Sequence, residues 1–256
     1  SDNENGFQIE RAPEMEGQPG PWLAVATVSN DSTTFVDTNV QPSAVFYYRL
    51  RAFNEMGASD WSVPVRAVAA TRIVETWTAA SGSPWPSLWI RTGTNVAVSV
   101  QNNRGQIGGG GAGLVLMAVN TPLARDADQQ VRMNFNNNSI RGGFFVRRHP
   151  RDPMSYYGVE TGTDGNNRSL FKVVNGTKTT LLALPPLLTG PDYWMRFRAE
   201  NRDEGGTRLR VRIWLEGEPE PEEWTADTTD EEPCLQNRIG QFGLLGAINI
   251  SGTRRI

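Results

Sequence analysis

Apolar and polar side chains alternate along residues 192–201, DYWMRFRAEN, and again along residues 207–217, TRLRVRIWLEG. Successive side chains of a β-strand point to opposite faces of a sheet, so this period of two is typical of a strand with one buried face. The apolar side chains that we expect in the core are Tyr193, Met195, Phe197, Leu209, Val211 and Ile213. The two segments therefore predict neighbouring antiparallel strands.

The rest of the chain predicts the same kind of element, because helical periodicity is almost absent. Residues 95–101, NVAVSVQ, place Val96, Val98 and Val100 on one face. Asn175–Gly176 has the composition of a two-residue hairpin turn between LFKVV and TKTTLL. Short strands of this kind, separated by Gly, Pro, Asn and Asp, predict an all-β protein.

Composition excludes several chemistries. The single Cys, Cys234, excludes an internal disulfide and any zinc cluster with two thiolates, and the single His, His149, excludes a pair of His metal ligands. The net charge of −3 lacks the excess of basic residues that is typical of nucleic-acid-binding proteins. Apolar runs are far shorter than the roughly 20 residues of a membrane helix. We therefore expect neither a nucleic-acid partner nor a membrane span.

Residues 1–71 resemble a fibronectin type III domain from its third strand onward. The resemblance lies in NENGFQIERA, in FVDTNVQPSAVFYYRLRAFNEMGASDWS and in the exit VRAVAAT. The family's first two strands have no counterpart, and its corner tyrosine is Phe46 in this chain. The resemblance implies an incomplete β-sandwich, and we expect it to expose a sheet edge and part of its core.

Residues 72–256 resemble a concanavalin A-like or laminin G-like jelly-roll β-sandwich. The matching segments include WTAASGSPWPSLWI, VSVQNNRGQI, LRVRIWLEGEPEPEEW and GQFGLLG. The family's last strand has no counterpart before the chain ends at SGTRRI. This pair of modules is similar to minor tail proteins of phages of actinobacteria and to secreted bacterial carbohydrate-binding proteins.

Catalytic patterns are missing from the second domain, so we expect no enzyme. The resemblance to jelly-roll glycosidases would require Glu-x-Asp-x-x-Glu on a strand, and no segment matches. The acidic cluster at residues 216–223 contains Pro219 and Pro221, which predicts a loop whose Trp224 packs back on the sheet. His149 lacks a carboxylate to orient it and is expected in an exposed loop. The glycine run at residues 108–111 is expected to be a flexible loop.

The outward-facing side chains of the two alternating segments are the candidate ligand site. On one segment they are Trp194, Arg196 and Arg198, and on the other Arg208, Arg210, Arg212 and Trp214. Guanidinium groups fork to carboxylates or phosphates, and indole rings stack on sugars, so this face would suit an acidic or neutral glycan. The alternative is that the arginines pair with local carboxylates and the rings cover a second apolar layer. Trp77, Trp85 and Trp89 are expected to be packing residues.

We expect no cofactor. Calcium, which often sits at one end of such jelly rolls, is the alternative, and Glu75 is its only candidate ligand.

The sequence therefore predicts a non-catalytic protein that is extracellular or part of a virion. The main hypothesis is a segment of a phage minor tail protein whose jelly roll binds a host-surface glycan or decorates the particle. One alternative is a carbohydrate-binding module of a secreted bacterial polysaccharide-degrading enzyme. The other is a structural subunit of an extracellular filament, completed by neighbouring chains. The expected partners are a polysaccharide or cell-surface glycan and further copies of the chain in a homo-oligomeric assembly.

Overall fold

The computed structural model describes residues 4–40, 44–69, 73–93, 95–110, 112–120, 123–135, 140–163, 168–202 and 204–248. The protein is all-β, as the alternating segments predict. Within those ranges the helical structure is a single 3₁₀ turn at Pro233–Leu235. The chain divides into two compact units, Ser1–Glu75 and Thr76–Ile256, here called unit 1 and unit 2.

Unit 1 is one antiparallel sheet. Its strands are β1 (Gly6–Met15), β2 (Gln18–Pro19), β3 (Leu23–Ser29), β4 (Val45–Asn54), β5 (Gly57–Ala58) and β6 (Val65–Val68). Strand β1 lies between β3 and β4, and β6 pairs with the other edge of β4.

The two faces of this sheet differ in how they are covered. On one face, the guanidinium of Arg49 lies 4.2 Å from the ring of Trp22 and 4.5 Å from that of Trp61, and it forms an ion pair of 2.6 Å with Glu10. On the other face, Leu50 remains 47% exposed. Ile9, the cross-strand partner of Leu50 on the same face, is nevertheless buried. The expectation that this unit exposes part of its core stays a prediction. The assignment to the fibronectin type III family stays a prediction.

Unit 2 contains a seven-stranded antiparallel sheet with the order β15-β14-β13-β12-β19-β10-β7. Its strands are β7 (Trp89–Thr92), β10 (Gly113–Val119), β12 (Ile140–Arg148), β13 (Tyr156–Gly162), β14 (Ser169–Val174), β15 (Thr177–Ala183) and β19 (Gln241–Ile248). The predicted two-residue turn joins β14 to β15, and its residues Asn175 and Gly176 have φ of 50° and 81°. Positive φ at both positions is what a type I′ hairpin turn requires.

A four-stranded antiparallel sheet packs against it. Its order is β11-β16-β17-β18, and its strands are β11 (Ala127–Asn134), β16 (Asp192–Asn201), β17 (Thr207–Leu215) and β18 (Ala226–Asp230). The two sheets enclose one core, because Phe144, Val159 and Leu170 from the larger sheet belong to the same buried cluster as Met195 and Phe197 from the smaller. Of the six predicted core side chains of β16 and β17, five are buried and Ile213 is half-buried.

A two-stranded hairpin, β8 (Val96–Gln101) and β9 (Arg104–Gly110), closes one end of the sandwich. Val96 and Val100 are fully buried, as the alternation predicts. Trp77, Trp85 and Trp89 pack in the same cluster with ring centroids 4.4 to 5.9 Å apart, which agrees with a packing role.

The expectation of a flexible loop for the glycine run is wrong where the run is described. Residues 108–110 belong to β9, in which Gly110 pairs with Val96 of β8 across a shift in register. Gly111 lies outside the described residues. The chain end SGTRRI also lies outside them.

Candidate functional site

The structure places all the candidate arginines and tryptophans of unit 2 on one face of the four-stranded sheet. Strands β16 and β17 pair so that Trp194 lies opposite Trp214, Arg196 opposite Arg212, and Arg198 opposite Arg210. The alternate residues fill the core, so these side chains point away from it. We call the set Trp194, Arg196, Arg198, Arg210, Arg212 and Trp214 the Arg–Trp face.

The two tryptophans form one aromatic platform. Their ring centroids are 6.3 Å apart and their planes differ by 18°. Both indoles are only half-buried. Water still reaches part of each ring, so the exposed surface of the pair can pack on a flat apolar face of a ligand.

Two of the arginines share acidic partners from other parts of the sheet. Arg196 Nε and Nη2 donate to the two carboxylate oxygens of Asp128 on β11 at 2.8 and 2.6 Å. Glu220 accepts from both Arg196 and Arg212, at 2.9 and 2.6 Å. The hydrogen bonds to Asp128 raise the pKa of Arg196 above its usual value. These side chains are held in a fixed network of charge-assisted hydrogen bonds.

The other two arginines are neutralised in the same way. Arg198 lies 3.3 Å from Asp128 and 3.2 Å from Glu200. Arg210 donates to Glu200, which lies diagonally across the pair of strands on the same face. Arg208, the fifth candidate arginine, forms an ion pair with Asp227 at 2.6 Å. The arginines thus pair with carboxylates of this chain, as the alternative interpretation predicts, and a ligand role for the face stays a prediction.

Residues 216–224 run over this face as a strap. The segment lies outside any strand between Leu215, where β17 ends, and Ala226, where β18 begins, as the two prolines predict. Trp224 packs back as expected, with its ring 4.6 Å from the Arg210 guanidinium and 4.1 Å from that of Arg212. Arg212 also donates to the backbone oxygen of Glu222. The strap packs on Arg210 and Arg212, whose side chains are 14% and 17% exposed, and leaves Trp194 and Trp214 half-buried.

Some of these partners were within reach of sequence reasoning. Glu200 continues the outward-facing series of Trp194, Arg196 and Arg198 along the same strand. The alternation of the sequence therefore predicts that Glu200 lies on the same face as these residues. Asp128 is 68 positions from Arg196, and only the pairing of β11 with β16 brings the two together.

The remaining candidates do not assemble into a reactive site. His149 is half-buried rather than exposed, and its Nδ1 accepts a hydrogen bond from the backbone N–H of Arg151 at 3.1 Å. Across the ranges that the structure describes, no three His, Cys, Asp or Glu side chains come together in a way that could hold a metal ion. Glu75 is half-buried at the end of unit 1, and a calcium role for it stays a prediction.

In the same ranges, no helix has the length and apolar character needed to cross a membrane.

No protein-family model matches the chain, and no curated protein matches it at a significant level. Among solved structures, the chain resembles the carbohydrate-binding module CBM66 from Bacillus subtilis, with 17% sequence identity and a TM-score of 0.45. The match covers 62% of this chain and 91% of that module. A likeness at this level does not identify a ligand, so the function proposed below is derived from the side chains of unit 2.

Proposed function

We propose that the chain is a non-catalytic glycan-binding protein and that the indole pair of Trp194 and Trp214 is its sugar platform. The observation that carries the proposal is the nearly parallel orientation of two half-exposed indoles on a rigid sheet. The C–H groups of a pyranose ring form a flat apolar surface that packs on aromatic rings, while its hydroxyl groups need polar partners around the platform.

The polar groups around the platform fit that requirement. Arg132 lies beside Trp194 on β11 and forms an ion pair with Glu216 at 3.1 Å. Both side chains are well exposed, at 43% and 40%. They therefore offer donors and acceptors to sugar hydroxyls at one edge of the platform.

Charge compensation favours a neutral glycan over an acidic one. Every arginine of the Arg–Trp face already pairs with Asp128, Glu200 or Glu220. An acidic sugar would have to displace one of these carboxylates, which costs the hydrogen bonds that they make. A neutral sugar can bind the indoles without breaking the network.

The same network supports a non-catalytic role. Glycoside hydrolysis needs a carboxyl group with a raised pKa to protonate the leaving group. Burial alone would raise the pKa of Glu220, but hydrogen bonds from Arg212 and Arg196 outweigh it, so the pKa of Glu220 is lowered. A carboxylate held in this state is a poor general acid.

The setting that we propose is extracellular or on a virion. A module of a secreted bacterial polysaccharide-degrading enzyme and a phage minor tail protein would use the same platform, and in either setting several copies would add avidity. The filament alternative is favoured by one separate observation, the exposed apolar side chains of unit 1, among them Leu23 at 60% and Leu50 at 47%. It requires copies of this chain to associate through unit 1, and a purified chain that stays monomeric at high concentration would contradict it.

The platform is tested by Trp214→Ala. A glycan array identifies a bound oligosaccharide, and calorimetric titration then compares the full-length variants. We expect Trp214→Ala and Trp194→Ala each to weaken binding by about tenfold or more, because losing one aromatic contact costs roughly 1.4 kcal/mol. Trp22→Ala removes an indole that packs on an arginine of unit 1 and serves as the control. Wild-type affinity in Trp214→Ala would overturn the proposal.

The preference for a neutral ligand is tested by Glu220→Gln. This substitution releases Arg196 and Arg212 from their shared carboxylate, so we expect binding to heparin to strengthen several-fold at low salt, while binding to the neutral glycan stays the same. Glu218→Gln, in the same strap, makes the same charge change at an exposed side chain. An equal gain in both variants would show that only net charge matters and would contradict the role of Glu220.

A further inference from the structure

Two consecutive arginines at the end of β12 point to opposite faces of the seven-stranded sheet. The pairing of β12 with β19 changes register between Phe145 and Arg148, and Arg147 has φ of 59°. This is a β-bulge, in which one extra residue interrupts the alternation. Arg147 turns into the interior, and Arg148 lies beside Gln241 on the face away from the four-stranded sheet.

Arg147 has the environment of a structural residue. Its side chain is fully buried and its pKa is lowered by burial. Its donors reach Arg125 O at 2.9 Å, Thr207 Oγ1 at 2.5 Å, Leu235 O at 2.9 Å and Asn201 Oδ1 at 2.8 Å. Its hydrogen-bonding capacity is therefore satisfied by the protein.

Arg148 has a different environment. It is only 8% exposed, yet its one hydrogen bond among the described residues runs from Nη1 to Gln241 Oε1, at 2.8 Å. Its Nε is buried without a partner. None of the carboxylates in the described ranges lies within ion-pair distance of it. A buried guanidinium without a counter-charge is costly, and a bound anion would offset that cost.

The groups around Arg148 complete a small polar and aromatic site. Tyr156 on β13 belongs to the same buried cluster as Phe145, and burial raises the pKa of its hydroxyl. Phe145 packs edge-to-face on Tyr156, with ring centroids 6.2 Å apart. The apolar neighbours lower the local dielectric constant, which strengthens the attraction between Arg148 and an anion.

We propose that Arg148, together with Gln241 and Tyr156, forms a binding site for an oxyanion of the carboxylate or sulfate type. With Nη1 bound to Gln241, the Nε and Nη2 groups along one edge of the guanidinium have no acceptor in the described part of the chain. Two parallel N–H groups on one edge match the two oxygens of such an anion. The site uses neither Trp194 nor Trp214, so it can fail without affecting the proposed function.

The first experiment uses the wild-type chain. Side-chain Nε–Hε resonances of the ¹⁵N-labelled protein are titrated with glucuronate, acetate and sulfate, with chloride at the same ionic strength as the reference. We expect one Nε–Hε resonance, absent in Arg148→Gln, to shift saturably with oxyanions and not with chloride. Tenfold tighter binding of glucuronate than of acetate would indicate an anion carried by a glycan, and equal binding would indicate a free anion. No saturable shift would overturn the proposal.

The second experiment separates a ligand role from a structural one. If no group of the protein compensates the charge of Arg148, the Arg148→Gln variant in chloride should unfold at the same temperature as the wild type or at a higher one. Glucuronate should stabilise the wild type against unfolding and should not stabilise Arg148→Gln. Arg151→Gln removes an exposed arginine three positions away and should keep that stabilisation. Equal stabilisation in Arg148→Gln and the wild type would overturn the proposal. If Arg148→Gln does not fold, Arg148→Lys identifies the resonance and the wild-type titration decides.

Discussion

An Arg147→Met variant should unfold at a much lower urea concentration than the wild-type chain. Methionine fills much of the space but donates no hydrogen bond, so the buried acceptors Thr207 Oγ1 and Leu235 O lose their donor inside the protein. The acceptors on Arg125 and Asn201 lose theirs at part-buried positions. Each buried acceptor left without a partner costs roughly 1–3 kcal/mol. We expect a loss of about 4 kcal/mol, which is a large part of the stability of an ordinary domain.

Tryptophan fluorescence is a suitable measurement, because six of the eight tryptophans lie in unit 2. Arg151→Met, at an exposed position nearby, should change the unfolding free energy by less than about 0.5 kcal/mol. If the two variants unfold at the same urea concentration, the hydrogen bonds of Arg147 do not stabilise unit 2.

The candidate face shows what periodicity can predict. In β16 and β17 the apolar side chains alternate with polar ones over the whole strand. Only one of the two alternating sets can face the core, and it is the set that contains Met195, Phe197 and Val211. The same alternation places Trp194 and Trp214 side by side on the opposite face. Local alternation thus predicted both strands, their pairing and which residues share the site.

The chemistry of the face depends on contacts that no local pattern contains. Asp128 neutralises two arginines from a strand far away in sequence, and Glu220 does so from a strap whose path depends on tertiary packing. The bulge at Arg147 is similar, because regular alternation would have sent Arg147 and Arg148 to the faces opposite to those they occupy. Charge pairing and strand irregularity are set by the assembled sheets, and they decide whether an arginine is available to a ligand.

The second large effect is expected at Gly143 in β12, where the neighbouring strand leaves no room for a side chain. A Cβ atom at this position would lie 1.8 Å from the carbonyl oxygen of Val159 and 2.7 Å from its carbonyl carbon, both in the backbone of β13. Backbone of a central strand cannot move aside without breaking the hydrogen bonds between β12 and β13. We therefore expect Gly143→Ala to destabilise unit 2 by about 3 kcal/mol or more.

The neighbouring Gly142 provides a matched control on the same strand. Its added Cβ would meet Met133 Sδ and Phe135 Cε1, both at 3.3 Å, and these are side-chain atoms that can shift. We expect Gly142→Ala to cost about 1 kcal/mol or less, so the two variants should differ clearly in urea unfolding followed by tryptophan fluorescence. Similar midpoints would mean that β12 and β13 can separate at low cost.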